Sequence, residues 1–368
     1  MTTIEAPVLR RPGEPLAEET LTMHELAGDL VRVRVLASGV CRSDLHAIDG
    51  GWTTPLPFVP GHEGAGVVEE VGPAVRGLAP GDRVVLVWQA PCRRCRHCAA
   101  GRPWLCTGSH SLRHLLPDET ATFSAGEEPV HAYLGLGTFA ERTVVPEAAA
   151  VRIDERVPAP VAALIGCAVT TGIGAVLNTA RVRPGEGAVV LGCGGVGQSV
   201  LLGLRLVGAD PVIAVDTAPG RREQARELGA SHVLSGDDPD LVATVAGLTD
   251  GGADHAFEAI GRGATIELLP ALIGRGGQGV IVGMPPEGVT ITVDPFDLAD
   301  QGKRLLGCNY GSSVPAVDFP RLARLFLDGR LPLDRLVGRR APLTEANRAL
   351  EDLRQAAGLR TILEAGAR

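Results

Sequence analysis

The sequence predicts an α/β protein in two parts, a β-rich part followed by a doubly wound parallel sheet. Three observations carry that expectation. From Leu30 to Ala37, Val31, Val33 and Val35 alternate with Arg32 and Arg34, the period-two pattern of a half-buried strand. From Pro158 the rhythm changes to short apolar runs separated by stretches of helical length, the repeat of a parallel sheet. After the first of those runs comes Leu191-Gly192-Cys193-Gly194-Gly195-Val196-Gly197, a G-x-G-x-x-G turn between a strand and a helix.

The elements follow in order. Gly66 to Val71 and Arg83 to Trp88 join Leu30 to Ala37 in an antiparallel part that reaches about Ile153. Within it, Cys92 to Thr138 is irregular and polar, too long for an ordinary connection and better read as a metal-stapled lobe followed by an excursion. Six strands are then expected at Ala188 to Leu191, Val212 to Val215, His232 to Leu234, Ala253 to Glu258, Gly279 to Val282 and Arg304 to Leu306. Between them lie helices at Gly195 to Val207, Gly220 to Leu228 and Gly263 to Ile273. Beyond about Cys308 the repeat stops: Phe319 to Leu327 and Leu343 to Ala356 read as amphipathic helices, and Thr361 to Leu363 as a strand that returns to the first part.

Composition excludes several classes. The 368 residues are 45% hydrophobic and 21% charged, neither disordered nor fibrous usage. A net charge of -8 argues against binding nucleic acid or an anionic membrane surface. The most continuous apolar run, Gln198 to Ala209, is interrupted by Arg205, so no membrane span is expected. The amino terminus shows no apolar stretch of signal-peptide length, so a cytoplasmic protein with reduced thiols is expected. Lys303 is the only lysine, and its neighbours form no phosphate-binding G-x-x-x-x-G-K loop. Nor does either tyrosine, Tyr133 or Tyr310, have a lysine four positions on.

Cysteine spacing carries the strongest chemical signal. Cys92, Cys95, Cys98 and Cys106 form a C-x2-C-x2-C-x7-C run that can close a tetrahedral, structural zinc shell. Arg93, Arg94 and Arg96 interleave with the ligands, either offsetting the net negative charge of a zinc tetrathiolate or simply solvated. A second set is Cys41, His62 and Cys167. Taken singly, each is as well explained by packing; together they are two thiolates and an imidazole that leave a fourth zinc position open, the catalytic arrangement. At the end of the next expected strand after the glycine-rich turn stands Asp216, whose carboxylate can accept both ribose hydroxyls and would repel a 2'-phosphate, so NAD is favoured over NADP. Arg221 and Arg222 follow closely and could serve that phosphate instead.

These three signals, in this order, resemble the zinc-dependent medium-chain alcohol dehydrogenases, and the likeness runs from Cys41 to Arg360. It implies a GroES-like catalytic domain from residues 1–168 and 309–368 and a Rossmann NAD-binding domain over 169–308. It implies two zinc ions per chain: one on Cys92, Cys95, Cys98 and Cys106, the other on Cys41, His62 and Cys167, with Glu63 able to exchange onto it and Asp44 orienting His62. Ser43 resembles the hydroxyl that meets the alcohol and His46 the end of a proton relay. Arg42 and Arg360 resemble the pyrophosphate pair, and Thr171 and Val196 the backing of the nicotinamide ring. With Gly192, Gly194, Gly195, Gly197, Asp216 and Arg221 they complete the expected cofactor site. Trp52 and Trp88 match positions that line the substrate channel, with Tyr133 nearby.

The reaction so implied is hydride transfer between NAD and a primary aliphatic or benzylic alcohol, by a homodimer or, second, a homotetramer. The family's thiol-adduct formaldehyde dehydrogenases fit less well, since Asp49 is the only acidic residue in Asp49-Gly50-Gly51-Trp52-Thr53-Thr54 and Trp52 fills space such a substrate needs. Polyol dehydrogenases commonly place Glu where Cys167 stands. A zinc-ribbon nucleic-acid module conflicts with the net charge and with the glycine-rich turn.

Overall fold

The strand Leu30–Gly39 is the hub of the β-rich part. Val31, Val33 and Val35 are buried while Arg32 and Arg34 are half-buried on the other face. Those arginines pair with Glu70 and Glu69 on the neighbouring strand. Leu30–Gly39 runs antiparallel to Glu63–Val71, to Arg142–Pro146 and to the late strand Arg360–Glu364, where Ile362 lies opposite Gly39. Arg83–Leu86, Ala150–Arg152 and Val337–Pro342 complete this seven-stranded sheet.

The computed structural model describes residues 2–355 and 359–366. The chain divides into two units, Met1–Cys167 with Val314–Arg368, and Ala168–Ser313. In the first, the antiparallel structure begins earlier than the alternation at Leu30 suggests. Thr3–Val8 and Ala17–Met23 form a five-stranded sheet with Phe123–Ala125, Glu128–Ala132 and Phe58–Val59. The excursion after Cys106 is therefore built into a sheet; its strands are short, and Pro129 hides one of them from a pattern search. The late helix spans Ala346–Arg354, and residue Ala356, expected at its end, lies outside the described residues.

In the second unit all six expected strands are present and parallel. Their order across the sheet is His232–Ser235, Val212–Asp216, Ala188–Leu191, Ala253–Glu258, Ile273–Ile281 and Arg304–Gly307. Gly195–Val207 is one helix, stopped by Gly208 at φ 77°. The helix expected over Gly263 to Ile273 is instead two short ones, Gly263–Ile266 and Leu269–Leu272, because Pro270 cannot continue a helix and starts a new one. Leu241–Leu248 and Pro295–Gln301 are two further helices.

The second unit extends to Ser313 rather than 308. Asn178 Nδ2 donates to the Gly311 carbonyl at 3.1 Å and the Thr179 and Ser312 hydroxyls lie 2.8 Å apart. The helical stretch Ala159–Ala180 is long and apolar enough to cross a bilayer, which the sequence reading missed; 83% of its most apolar window is buried inside the protein.

His114, on the excursion, stacks on Tyr133 with ring centroids 5.5 Å apart, and its Nδ1 accepts from the Leu134 N–H at 2.9 Å. Burial, aided by the charge of His131, lowers its pKa to about 4. The folded protein thus binds fewer protons here than the unfolded chain between about pH 6.5 and 4. This contribution to stability is full above pH 6.5 and is lost progressively as pH falls toward 4, to a total on the order of 3 kcal/mol. His114→Gln should flatten that acid limb in thermal melts taken from pH 7 to pH 4.5; a limb as steep as in wild type would assign it to other groups.

Candidate active site

The hub strand leads directly into the first cluster. After Gly39 and Val40 comes Cys41, at the start of the helix Arg42–Ile48; His62 immediately precedes the adjacent strand and Glu63 opens it; Cys167 lies in a wide helical turn, Ile165–Val169. All four are buried, and one donor atom from each lies within 4.8 Å of the others. The Asp44 carboxylate ties two of these segments together through three contacts. Its Oδ2 accepts from the Cys41 N–H at 2.9 Å, and its Oδ1 accepts from the Gly61 N–H at 3.1 Å and lies 3.0 Å from His62 Nδ1. With Nδ1–H donating to Asp44, Nε2 is left as the imidazole's ligand atom.

Glu63 is the electrostatic anomaly. Among the described residues neither carboxylate oxygen accepts a hydrogen bond, and Arg360 Nη2 lies 3.4 Å from Oε1. Burial pushes its carboxyl up to about 8 against the opposing charge of Arg360. The hydrogen bond between the two sulfurs holds the Cys41 thiol down and raises Cys167. Two sulfurs, an imidazole and an orphaned carboxylate, all buried, form a donor set that fits zinc. Sequence reasoning missed Gly39: a Cβ there would lie 2.0 Å from Glu63 Oε2, so only glycine leaves the carboxylate its place. A glycine closing the alternating strand, two residues before Cys41, was the available signal.

Cys92, Cys95, Cys98 and Cys106 also converge within 4.8 Å. Backbone N–H groups point at the sulfurs, from Cys92 to Cys106 Sγ at 3.2 Å and from Cys95 to Cys92 Sγ at 3.4 Å, a setting that favours thiolates. This set is closed and fits a structural zinc. Arg93, Arg94 and Arg96 are exposed to solvent.

In the second unit the three fingerprint glycines have separate reasons. Gly192 sits at φ 89° with Ile260 against it, and a Cβ on Gly197 would lie 1.8 Å from the Gly192 carbonyl, so both are packing constraints. Around Gly194 there is open space, as close approach of a pyrophosphate needs. Asp216 is buried; its Oδ2 accepts from the Cys193 N–H and its Oδ1 from the Ala218 N–H, which aims the carboxylate. Arg222 is spent on the carbonyls of Asp216 and Thr217, and Arg221 stands 3.9 Å from Asp216. Gly195 and Val196 open the helix after the turn, and Thr171 is buried in the helix Thr170–Gly174, which packs on it through Gly172.

The remaining expected residues divide. Ser43 and His46 lie three positions apart on the helix Arg42–Ile48, hence on one side of it, and His46 stacks on Trp52 at 4.9 Å. Burial, with the charge of Arg42, lowers the His46 pKa. Arg42 is exposed, whereas Arg360 is buried and donates to the Val40 carbonyl at 2.9 Å. Trp88 is half-buried against the cluster that includes Val33 and Leu86. Tyr133 is a core residue rather than a channel wall: it is 1% exposed, its hydroxyl donates to the Ser43 carbonyl at 3.0 Å, and its ring stands edge-on to His62 at 5.5 Å.

One unit with a parallel sheet and a dinucleotide turn, and another with one closed and one open set of zinc donors, define a zinc-binding dehydrogenase. Residues 27–155 match the alcohol dehydrogenase GroES-like domain and residues 195–328 the zinc-binding dehydrogenase domain. The chain is 38% identical to an NDMA-dependent alcohol dehydrogenase of Amycolatopsis methanolica, over 98% of each chain. It is 34% identical to an S-(hydroxymethyl)glutathione dehydrogenase of Paracoccus denitrificans, over 97% of this chain and 98% of the relative. Among solved structures, benzyl alcohol dehydrogenase from Acinetobacter calcoaceticus superposes with a TM-score of 0.94 at 33% identity over all of both chains. A zinc-binding dehydrogenase from Sinorhizobium meliloti, bound to NADP, gives 0.83 at 27% identity over 99% and 100%. The chain belongs to the zinc-dependent medium-chain alcohol dehydrogenase family.

Removing the group behind His62 should loosen that metal set alone. Asp44→Ala is expected to lower zinc affinity at the Cys41 cluster by about 10–100-fold while the Cys92 cluster keeps its metal, in a chelator competition titration. Equal loss at both sites would mean a general unfolding.

Proposed function

We propose that the protein is an NAD-dependent dehydrogenase that oxidises primary aliphatic or benzylic alcohols to aldehydes, with one catalytic and one structural zinc per chain. The observation that carries this reading is the buried Cys41, His62, Cys167 donor set with Asp44 behind it and the orphaned Glu63 beside it. When bound, zinc supplies a Lewis acid that acidifies the alcohol, and nicotinamide supplies the hydride acceptor. Cys41, His62 and Cys167 hold the metal; Glu63 is a further donor within reach. The Ser43 hydroxyl receives the substrate proton, and His46, one helical turn on, passes it to water. Its lowered pKa suits that task, since a neutral imidazole can accept a proton and readily release it.

For the cofactor, NAD is favoured by Asp216, with Arg222 already engaged on backbone carbonyls. NAD should exceed NADP in kcat/KM by at least about tenfold, about 1.4 kcal/mol. Asp216→Gly should raise relative use of NADP; an unchanged ratio would move the preference to another residue. A homodimer in the cytoplasm completes the reading.

Trp52 and Trp88 support a narrow substrate slot, and the likeness to benzyl alcohol dehydrogenase agrees with it. The decisive panel is kcat/KM for ethanol, benzyl alcohol, a secondary alcohol and S-(hydroxymethyl)glutathione, with NAD, NADP or NDMA as acceptor. Primary alcohols with NAD should lead, and Trp88→Ala should improve the secondary alcohol relative to ethanol. A second reading, oxidation of thiol adducts of formaldehyde, has the Paracoccus relative in its favour and wins if the glutathione adduct leads. Turnover with NDMA alone would instead align the chain with its Amycolatopsis relative.

Elemental analysis should give two zinc ions per chain. Cys95→Ser should lower the melting temperature, whereas Cys41→Ser should abolish turnover in a protein that still folds. Reversed phenotypes would exchange the two site assignments.

A further inference from the structure

Glu258 lies outside every group described so far, yet it is a fully buried carboxylate at the end of the central strand Ala253–Glu258. That strand and Ala188–Leu191 are the neighbours at which the order of the parallel sheet reverses. In open parallel sheets the ligand crevice lies at the carboxyl ends of the two strands at such a switch. The glycine-rich turn after Leu191 forms one lip of it. The other is Ala259-Ile260-Gly261-Arg262, to which the fingerprint assigns nothing.

One oxygen of Glu258 gathers that second lip. Oε1 accepts from the Ile260 N–H at 3.1 Å, the Gly261 N–H at 2.8 Å and the Thr265 hydroxyl at 2.7 Å. The Glu258 carbonyl accepts from the N–H groups of Val282 and Gly283 at 2.9 and 2.8 Å. Oε2 is buried and has no hydrogen-bond partner among the described residues. Burying an unmatched carboxylate oxygen is costly, while an amide oxygen would accept the same three bonds, so stability alone does not select this group.

The turn is wedged between two glycines. A Cβ on Gly192 would lie 2.4 Å from Ile260 Cγ1, and one on Gly283 would lie 2.2 Å from the Gly261 nitrogen and 2.8 Å from Glu258 Oε2. Ile260 is thereby pressed against the first fingerprint glycine, yet it keeps 38% of its surface exposed, as an apolar rim would.

We propose that Glu258 is a positioning residue for the dinucleotide: it fixes the Ile260-Gly261 turn so that Ile260 forms, opposite the glycine-rich turn, the apolar wall against which the cofactor rests. The proposal rests on the dinucleotide reading of the preceding section. Its test is the dissociation constant of NAD, measured by fluorescence titration of zinc-replete protein, together with the melting temperature without cofactor and the separate KM for NAD and kcat. Glu258→Ala should weaken NAD binding by about tenfold or more and raise the KM for NAD by a larger factor than it lowers kcat. Glu258→Gln, which keeps the acceptor oxygen, should recover most of the affinity. Ile260→Ala, at an exposed side chain, should weaken NAD binding in the same direction without lowering the melting temperature, and it stands as the test if Glu258→Ala does not fold. Wild-type affinity in Ile260→Ala, or in a folded Glu258→Ala, overturns the proposal while leaving the dinucleotide reading intact. Wild-type protein that binds neither NAD nor NADP overturns both.

Discussion

The Asp44 carboxylate is the interaction on which the rest of the metal-binding unit depends. It is fully buried and ties the Cys41 backbone, the Gly61 backbone and the His62 ring to one point. Those partners are the residue that caps the helix Arg42–Ile48 and two consecutive residues in the loop before the adjacent strand. A neutral residue of the same size would leave buried donors poorly matched and the imidazole free to turn, and each unmatched group costs about 1–3 kcal/mol. The adjoining packing serves the same end: the Tyr133 ring closes over the edge of His62 while its hydroxyl holds the Ser43 carbonyl, fixing the helix that carries Ser43 and His46.

Charge balance explains the neighbours of that point. Glu63 and the sulfurs of Cys41 and Cys167 face Arg360, and burial, reinforced by the charges of Cys41 and Asp44, pushes Glu63 far above its ordinary range. Such an arrangement is stable when a divalent cation completes it, and the chain gives up backbone freedom to keep it, since Gly39 makes room for Glu63 where the two strands end their pairing. The second unit solves a different problem with the same device. Gly192, Gly197 and Gly283 allow backbone and side chains to approach more closely than any Cβ permits, and Gly194 leaves space for a ligand.

Much was legible in the sequence because it is local. The six parallel strands, the helix after the glycine-rich turn, the Cys92 to Cys106 run and Asp216 at a strand end are all set by periodicity or spacing within a few residues, and each physical cause acts over that distance. Pro270 was equally local, and its power to break the helix expected over Gly263 to Ile273 follows from its missing N–H.

Other features arose only when distant segments met. Nothing in the short strands Phe123–Ala125 and Glu128–Ala132 marks them as partners of Ala17–Met23, because their stability comes from cross-strand pairing and not from their own pattern. Tyr133 is a wedge behind His62 rather than a wall, a distinction made by rings that are far apart in the chain. The same holds for Gly39 against Glu63 and for Glu258 beneath Ile260 and Gly261. The sequence by itself determined which groups were available for metal and dinucleotide, since ligand type and local spacing are written in the chain; the tertiary structure decided which buried carboxylates hold those groups in place, because hydrogen bonds and burial between remote segments exist only after folding.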